Sequence, residues 1–183
     1  MARIPFPDLT ALPPEAEEAI AALPAPLNIF TMAAHAPTTT APIIGLGRAL
    51  LTTLELDARI RELTILWVAR RTGADYEWIQ HEPFARRVGA GDEQIRAVRD
   101  LDLDAFAGPD RLALGLADRL LMRQPVTDID GLLRHFPARQ ITELVLVVGY
   151  YTMLAGLMVT LDIDVDPVGD QLADEATRIV SGR

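Results

Sequence analysis

Residues 61–89 read RELTILWVARRTGADYEWIQHEPFARRVG, and this stretch decides the fold. It divides at Gly73 into two segments whose apolar residues recur at helical rather than strand spacing. A helix advances about 100° per residue, so positions three, four and seven apart share a face. On the first helix Glu62 falls in a stripe with Ala58, Ile65, Leu66 and Ala69. On the second, His81 falls in a stripe with Ala74, Trp78, Phe84, Ala85 and Val88, and Glu77 joins it one turn upstream. Two carboxylates and one imidazole therefore point towards the core. Taking a charge out of water costs on the order of several kcal/mol unless a partner compensates it. Either the three groups satisfy one another or they do chemistry.

Working outward, Pro, Gly and Asp punctuate the chain as in an all-helical array. A short helix spans residues 14–23, opened by Pro13-Pro14 and ended by Pro24, with early glutamates that suit the positive end of the helix dipole. An apolar second segment over residues 26–36 stops at Pro37, and Thr38-Thr39-Thr40 leads into a third helix over 41–53. Asp57 is the expected N-cap of the helix that carries Glu62, and Asp75 that of the helix that carries His81. Pro83 lies inside this second helix and is expected to bend or loosen it. Further helices follow over residues 92–101 and 109–123, the latter with Leu112, Leu116 and Leu120 on one face. Thr127 with Asp130 resembles a capping box before a short helix that ends at Phe136. Pro137 begins the longest helix, to residue 161, and an amphipathic piece over 170–180 closes the chain. No segment alternates with period two. The expectation is a single all-α domain over residues 1–183.

Composition narrows the function. Half of the 183 residues are hydrophobic, which gives one domain a sizeable core. The formal charge of −9 and the lack of a Lys/Arg cluster argue against nucleic acid, which requires a basic face. There is no cysteine, which excludes thiol catalysis, disulfides and thiolate metal sites together. The start MARIPFPDL has no apolar run followed by a small-residue cleavage site, so a cytoplasmic protein is expected. Residues 144–161 carry no charge and touch the lower length limit for a membrane span. Glu143 on one side and Asp162, Asp164 and Asp166 on the other supply no basic anchor, so the expectation is a core or subunit-interface helix and no membrane. Gly149, Gly156 and Tyr150-Tyr151 suit close helix packing, and a helix apolar all round in a small domain points to a homo-oligomer.

Glu77 and His81 are four residues apart and can pair on one helix face. With Glu62 from the neighbouring helix, three titratable groups meet in apolar surroundings, where their pKa values separate and supply an acid and a base near neutrality. The metal reading is incomplete on each pattern. A di-iron bundle requires Glu-x-x-His on two helices, whereas the chain has Glu-x-x-x-His once. His81-Glu82 begins like a zinc protease motif, but Ala85 stands where the second His belongs. No metal and no cofactor are expected. His35 and His135 fit helix termini better than ligand sites. Arg59 and Arg61 flank Glu62; either can neutralise it or meet an anionic substrate, Arg61 being the more solvent-facing. Tyr150 shares a face with Glu143 and can line a pocket, although a buried tyrosine bonded to backbone is the plainer reading.

These residues carry a family resemblance. Arg61-Glu62-Leu63, Tyr76-Glu77-Trp78, His81 and Gly89 together resemble the carboxymuconolactone decarboxylase family, which includes the alkylhydroperoxidase D-like proteins. Leu27-Asn28-Ile29-Phe30 with His35-Ala36-Pro37 is similar to the family's N-terminal segment, and Glu143-Leu144 through Gly149-Tyr150-Tyr151 to its C-terminal helix. The resemblance runs over residues 15–166 and implies an alkylhydroperoxidase D-like helical array that assembles into trimers or hexamers. In the peroxidase branch a glutamate precedes Cys-x-x-Cys-x-x-x-His. Glu62 and His81 match that pattern, while Ala74 and Glu77 stand at the cysteine positions, so peroxide reduction by thiolate is excluded.

What remains is similar to the decarboxylase branch, which keeps Glu-x-Trp-x-x-His and needs no cofactor. The resemblance implies a lyase acting on a small anionic lactone or related carboxylate as its substrate. His81 is expected to carry the proton, Glu77 to orient it and Glu62 to act as a second acid or base, with Arg59, Trp78 and Tyr150 as substrate contacts. Two rivals stay open: an isomerase or cyclase of this scaffold with an unrelated substrate, and a non-catalytic binding protein.

Overall fold

The computed structural model describes residues 2–23, 25 and 27–166, and among these the chain is all helical, without a strand. In chain order the helices are α1 (Pro14–Ala21), α2 (Asn28–Ala33), α3 (Pro37–Thr52), α4 (Ala58–Thr72), α5 (Asp75–Arg87), α6 (Asp92–Asp100), α7 (Gly108–Leu121), α8 (Ile129–Leu133) and α9 (Ala138–Leu161). The expected piece over 170–180 lies outside the described residues.

Packing divides the chain into two compact units. One comprises residues 54–156; the other comprises the described residues on either side. In the flanking unit α3 packs against α1 and α2. The Asp166 carboxylate accepts from the Asn28 amide at 2.9 Å and so caps α2. His35 closes a loop through a 2.8 Å bond between its Nε2 and the Pro5 carbonyl.

The unit over 54–156 is built around α4, which packs against α5, α6 and α7. Residues 60–69 of α4 are buried without interruption. Its ends are well specified: the Asp57 side chain accepts from the Ile60 amide at 3.0 Å, and Gly73 follows in the left-handed conformation at φ 73°. A second apolar cluster joins Leu56, Ile60, Ala113, Leu116, Leu132, Phe136 and Leu144, with Leu112 and Leu120 packed against it, so the leucine face read on α7 does enter the core. Asp118 of α7 ties back to α4 by accepting from Trp67 Nε1 at 2.9 Å and from Arg71 Nε at 2.6 Å.

Several helix starts differ from expectation, each for a local reason. Pro37 opens α3 instead of only ending the helix before it, so the Thr38–Thr40 triplet lies inside α3. Proline at the first helical position loses no bond, because that N–H has no intrahelical acceptor. Asp75 is the first residue of α5, with Ala74 at the cap, and Asp92 follows a Gly91 cap in the same way. Asp128, not Thr127, caps α8 by accepting from the Gly131 amide at 2.8 Å. Pro83 lies inside α5, as read from the sequence, and the helix continues to Arg87.

By length and composition α9 could cross a bilayer, and it is the one described helix that could. One face, with Leu144, Val147, Val148, Tyr151, Leu154 and Ala155, is buried, while Val145, Leu146, Gly149 and Met153 are exposed. Burial from both sides is therefore not found within one chain.

Candidate active site

The α4–α5 hairpin places Glu62 against His81. Gly73 turns the chain back, and the Ala74 amide bonds to the Ala69 carbonyl at 2.9 Å. Glu62 Oε2 then lies 2.8 Å from His81 Nδ1. Its other oxygen, Oε1, accepts from Arg61 Nε at 3.0 Å. Both carboxylate oxygens are thus used, in a side chain only 1% exposed.

Burial pushes the Glu62 carboxyl up, but the adjacent His81 and then Arg61 outweigh it and hold the group below the usual carboxylate range. An ionised carboxylate only accepts, so Nδ1 carries a proton and donates it to Glu62. Nε2 is then the nitrogen of His81 left open to a further partner. It has no hydrogen-bond partner among the described residues, and the side chain keeps 13% exposure. The ring is held by Tyr151, edge-on at 5.0 Å and 89°, and by Phe84 at 5.8 Å. Tyr150 packs edge-on to Tyr151 at 5.2 Å.

Glu77 lies one turn before His81 on α5, also 1% exposed, and neither of its carboxyl oxygens has a hydrogen-bond partner among the described residues. Burial raises its carboxyl well above the usual range. Tyr150 is raised first by burial and then by the nearby Glu77, and Tyr151 by burial, Glu62, Tyr150 and Glu77. Glu62, Glu77, His81 and Tyr150 therefore do occupy one neighbourhood, completed by Arg61 and Tyr151. The partner of His81, however, is Glu62 and not Glu77.

Arg59 and Trp78 are engaged differently. Arg59 forms a two-pronged ion pair with Asp110, at 2.6 and 2.8 Å. Trp78 donates to Glu82 at 2.6 Å and lies under the Arg99 guanidinium at 5.1 Å. The solvent-facing reading of Arg61 is overturned, since it is 6% exposed and bonded to Glu62. A helical wheel assigns an outer face to every helix, and α4 has none over residues 60–69. Tyr151 was not singled out, because only the packing of α9 on α5 brings it to His81. The adjacent Tyr150-Tyr151 pair was its one trace in the sequence.

Arg61 and Glu62 are bonded to each other, so their opposite charges compensate within the neighbourhood. Among the described residues no three His, Asp or Glu side chains converge as a metal-ligand group. The arrangement can take a proton at Nε2, stabilise the imidazolium through Glu62, and return the proton to a bound molecule.

Comparison with known proteins agrees with this architecture. The sequence profile of the carboxymuconolactone decarboxylase family matches residues 37–118, from the start of α3 into α7. No curated protein matches the chain. Among solved structures, an uncharacterized peroxidase-related protein with an alkylhydroperoxidase AhpD core from Ralstonia eutropha JMP134 is similar with a TM-score of 0.75 at 19% identity, over 91% of this chain and 93% of that one. An uncharacterized peroxidase-related protein from Silicibacter sp. TM1040 is similar with a TM-score of 0.74 at 15% identity, over 91% and 92%. The debrominase Bmp8, solved in complex with 2,3,4-tribromopyrrole, is similar with a TM-score of 0.65 at 15% identity, over 88% and 87%. Residues 37–118 thus match the carboxymuconolactone decarboxylase family profile, and the chain, which has no cysteine, shares the alkylhydroperoxidase D-like helical fold of these structures.

Proposed function

We propose that this chain is a cofactor-free proton-transfer enzyme whose reaction is the loss of carbon dioxide from a small lactone or related carboxylate. The observation that carries the reading is the 2.8 Å bond between Glu62 and His81 Nδ1, which leaves Nε2 unpartnered in a largely buried site. In the reaction the bond between the ring carbon and the carboxylate breaks, and its electron pair spreads into a conjugated carbonyl. Carbon dioxide leaves, and His81, as imidazolium, delivers a proton from Nε2 to carbon. Glu62, held ionised by His81 and then Arg61, stabilises that imidazolium and holds the ring in place. Water then reprotonates His81. The family profile over residues 37–118 supports the substrate class, and Bmp8, whose structure holds a tribromopyrrole, supports a small planar ring as a ligand shape.

One feature favours a second reading on the same residues. Arg59 is already held by Asp110, so it offers no open cation to a substrate carboxylate. A less charged substrate, isomerised by moving one proton from carbon to carbon, fits the His81 neighbourhood equally well in charge.

The test is to incubate the protein with carboxymuconolactone and follow carbon dioxide release, with His81→Ala in parallel. Turnover by the wild type and a loss of about 10²-fold or more in the variant are expected, the usual size for removing an acid/base group. No release from the wild type would reject the lactone. Equal release from both proteins would reject His81 as the proton carrier.

A further inference from the structure

Among the described residues, three side chains carry buried polar atoms without a hydrogen-bond partner: Thr64, Glu77 and Gln80. All three belong to α4 and α5, the helices that bring Glu62 and His81 together. Such groups are rare in folded proteins, because each one costs its desolvation without a compensating bond. Glu77 is the most demanding of them, with both oxygens unpartnered. At the third position of α5 a glutamate commonly reaches back to the cap residue's N–H. Here that N–H, on Ala74, is already bonded to the Ala69 carbonyl. Capping therefore does not explain Glu77.

Ion pairing does not explain it either. The titratable groups that interact with it are Tyr150 and Tyr151 on α9, and Tyr151 in turn adjoins His81 and Glu62. Arg61, the cation of this neighbourhood, is bonded to Glu62. An ionised carboxylate with no donor in such a place is untenable, whereas a carboxylic acid is tolerable and has an O–H to give. Its burial and the upward push on its carboxyl agree.

We propose that Glu77 works as a neutral acid, donating a hydrogen bond from its O–H to a substrate carbonyl oxygen while that oxygen gains negative charge. This inference rests on the proton-transfer reading of His81 and deepens it. The substrate class becomes a carbonyl compound that reacts through an enolate. When the carbon–carbon bond to carbon dioxide breaks, or a proton leaves the carbon next to the carbonyl, the electron pair moves onto the carbonyl oxygen, and Glu77 stabilises it there. His81 Nε2 handles the proton at carbon. Glu77 keeps its own proton throughout, so the step balances with His81 as the one group that changes charge. The split into a buried neutral acid and an ionised carboxylate that orients a base is what separates two carboxyl roles in one site.

Two measurements on the full chain test this without relying on turnover. Infrared spectroscopy at neutral pH should show a protonated-carboxyl C=O stretch in the wild type that disappears in Glu77→Gln. Binding of 4-nitrophenol, whose phenolate oxygen imitates an enolate oxygen, should survive in Glu77→Gln, where the amide still donates. It should weaken by about tenfold or more in Glu77→Leu, where nothing does. Absence of the infrared band, or equal probe binding by wild type and Glu77→Leu, would overturn the proposal. The two readings fail separately. Full turnover in His81→Ala would sink the proton-transfer reading and leave both Glu77 measurements unchanged.

Discussion

Glu62 and Glu77 are equally buried, each 1% exposed, yet their surroundings push them in opposite directions. Glu62 lies below its unfolded value. The stability it contributes is fully present above the ordinary carboxylate range and is lost as pH falls through the folded value. Glu77 lies above its unfolded value, so its contribution is present below that range and is lost as pH rises, by about 1.4 kcal/mol per pH unit for one proton. Thermal unfolding over a pH series checks both signs. Glu77→Gln should gain on the wild type progressively as pH rises above the ordinary carboxylate range, and the deficit of Glu62→Gln should shrink as pH falls below that range. Parallel curves for all three proteins would contradict the assignment. Helical spacing alone marked Glu62, Glu77 and His81, because a charged residue inside an apolar stripe stands out in any one helix. It could not say which carboxylate holds the imidazole. That depends on how α4 and α5 are set against each other across Gly73, and i, i+4 proximity on α5 favoured the wrong partner.

At the scale of the element, the α4–α5 hairpin depends on one backbone conformation. Gly73 has φ 73°, and a Cβ built there would meet nothing within 4 Å. Gly73→Ala should therefore cost the left-handed conformation alone, about 1 kcal/mol, measurable by denaturant titration with no change in slope. A much larger loss would mean that the turn is strained by something besides the added Cβ. The hairpin was readable because Asp57 and Gly73 bracket α4 with chemistry that works locally. The start of α3 differs from the sequence reading by four residues and that of α5 by one, because Pro or Asp at a first helical position looks the same in sequence as a stop or a cap. Arg61 was misread for a different reason. The sequence of α4 is amphipathic enough to suggest an outer face, and only the covering of α4 by α5, α6 and α7 removes that face.

Over the whole molecule, charge and exposed apolar surface pull against each other. The chain carries −9, so copies of it repel, yet Val145, Leu146 and Met153 are exposed on an uncharged face of α9 that also carries Gly149. Two copies can meet on that face without bringing like charges together. We propose that the homo-oligomer expected from the sequence is built there. Leu146→Glu should then lower the sedimenting mass to that of one chain while leaving the helical circular dichroism unchanged; an unchanged mass would rule this face out. The end of α5 where the chain enters the site carries one more consequence. Ala74 caps that helix and Glu77 is its third residue, both buried, with His81 one turn beyond Glu77. Thiols at those two places would stand at the positive end of a helix that also carries His81, already bonded to Glu62. In evolutionary terms, two side chains would separate the proton-transfer site proposed here from a thiol site, on helices that need not change.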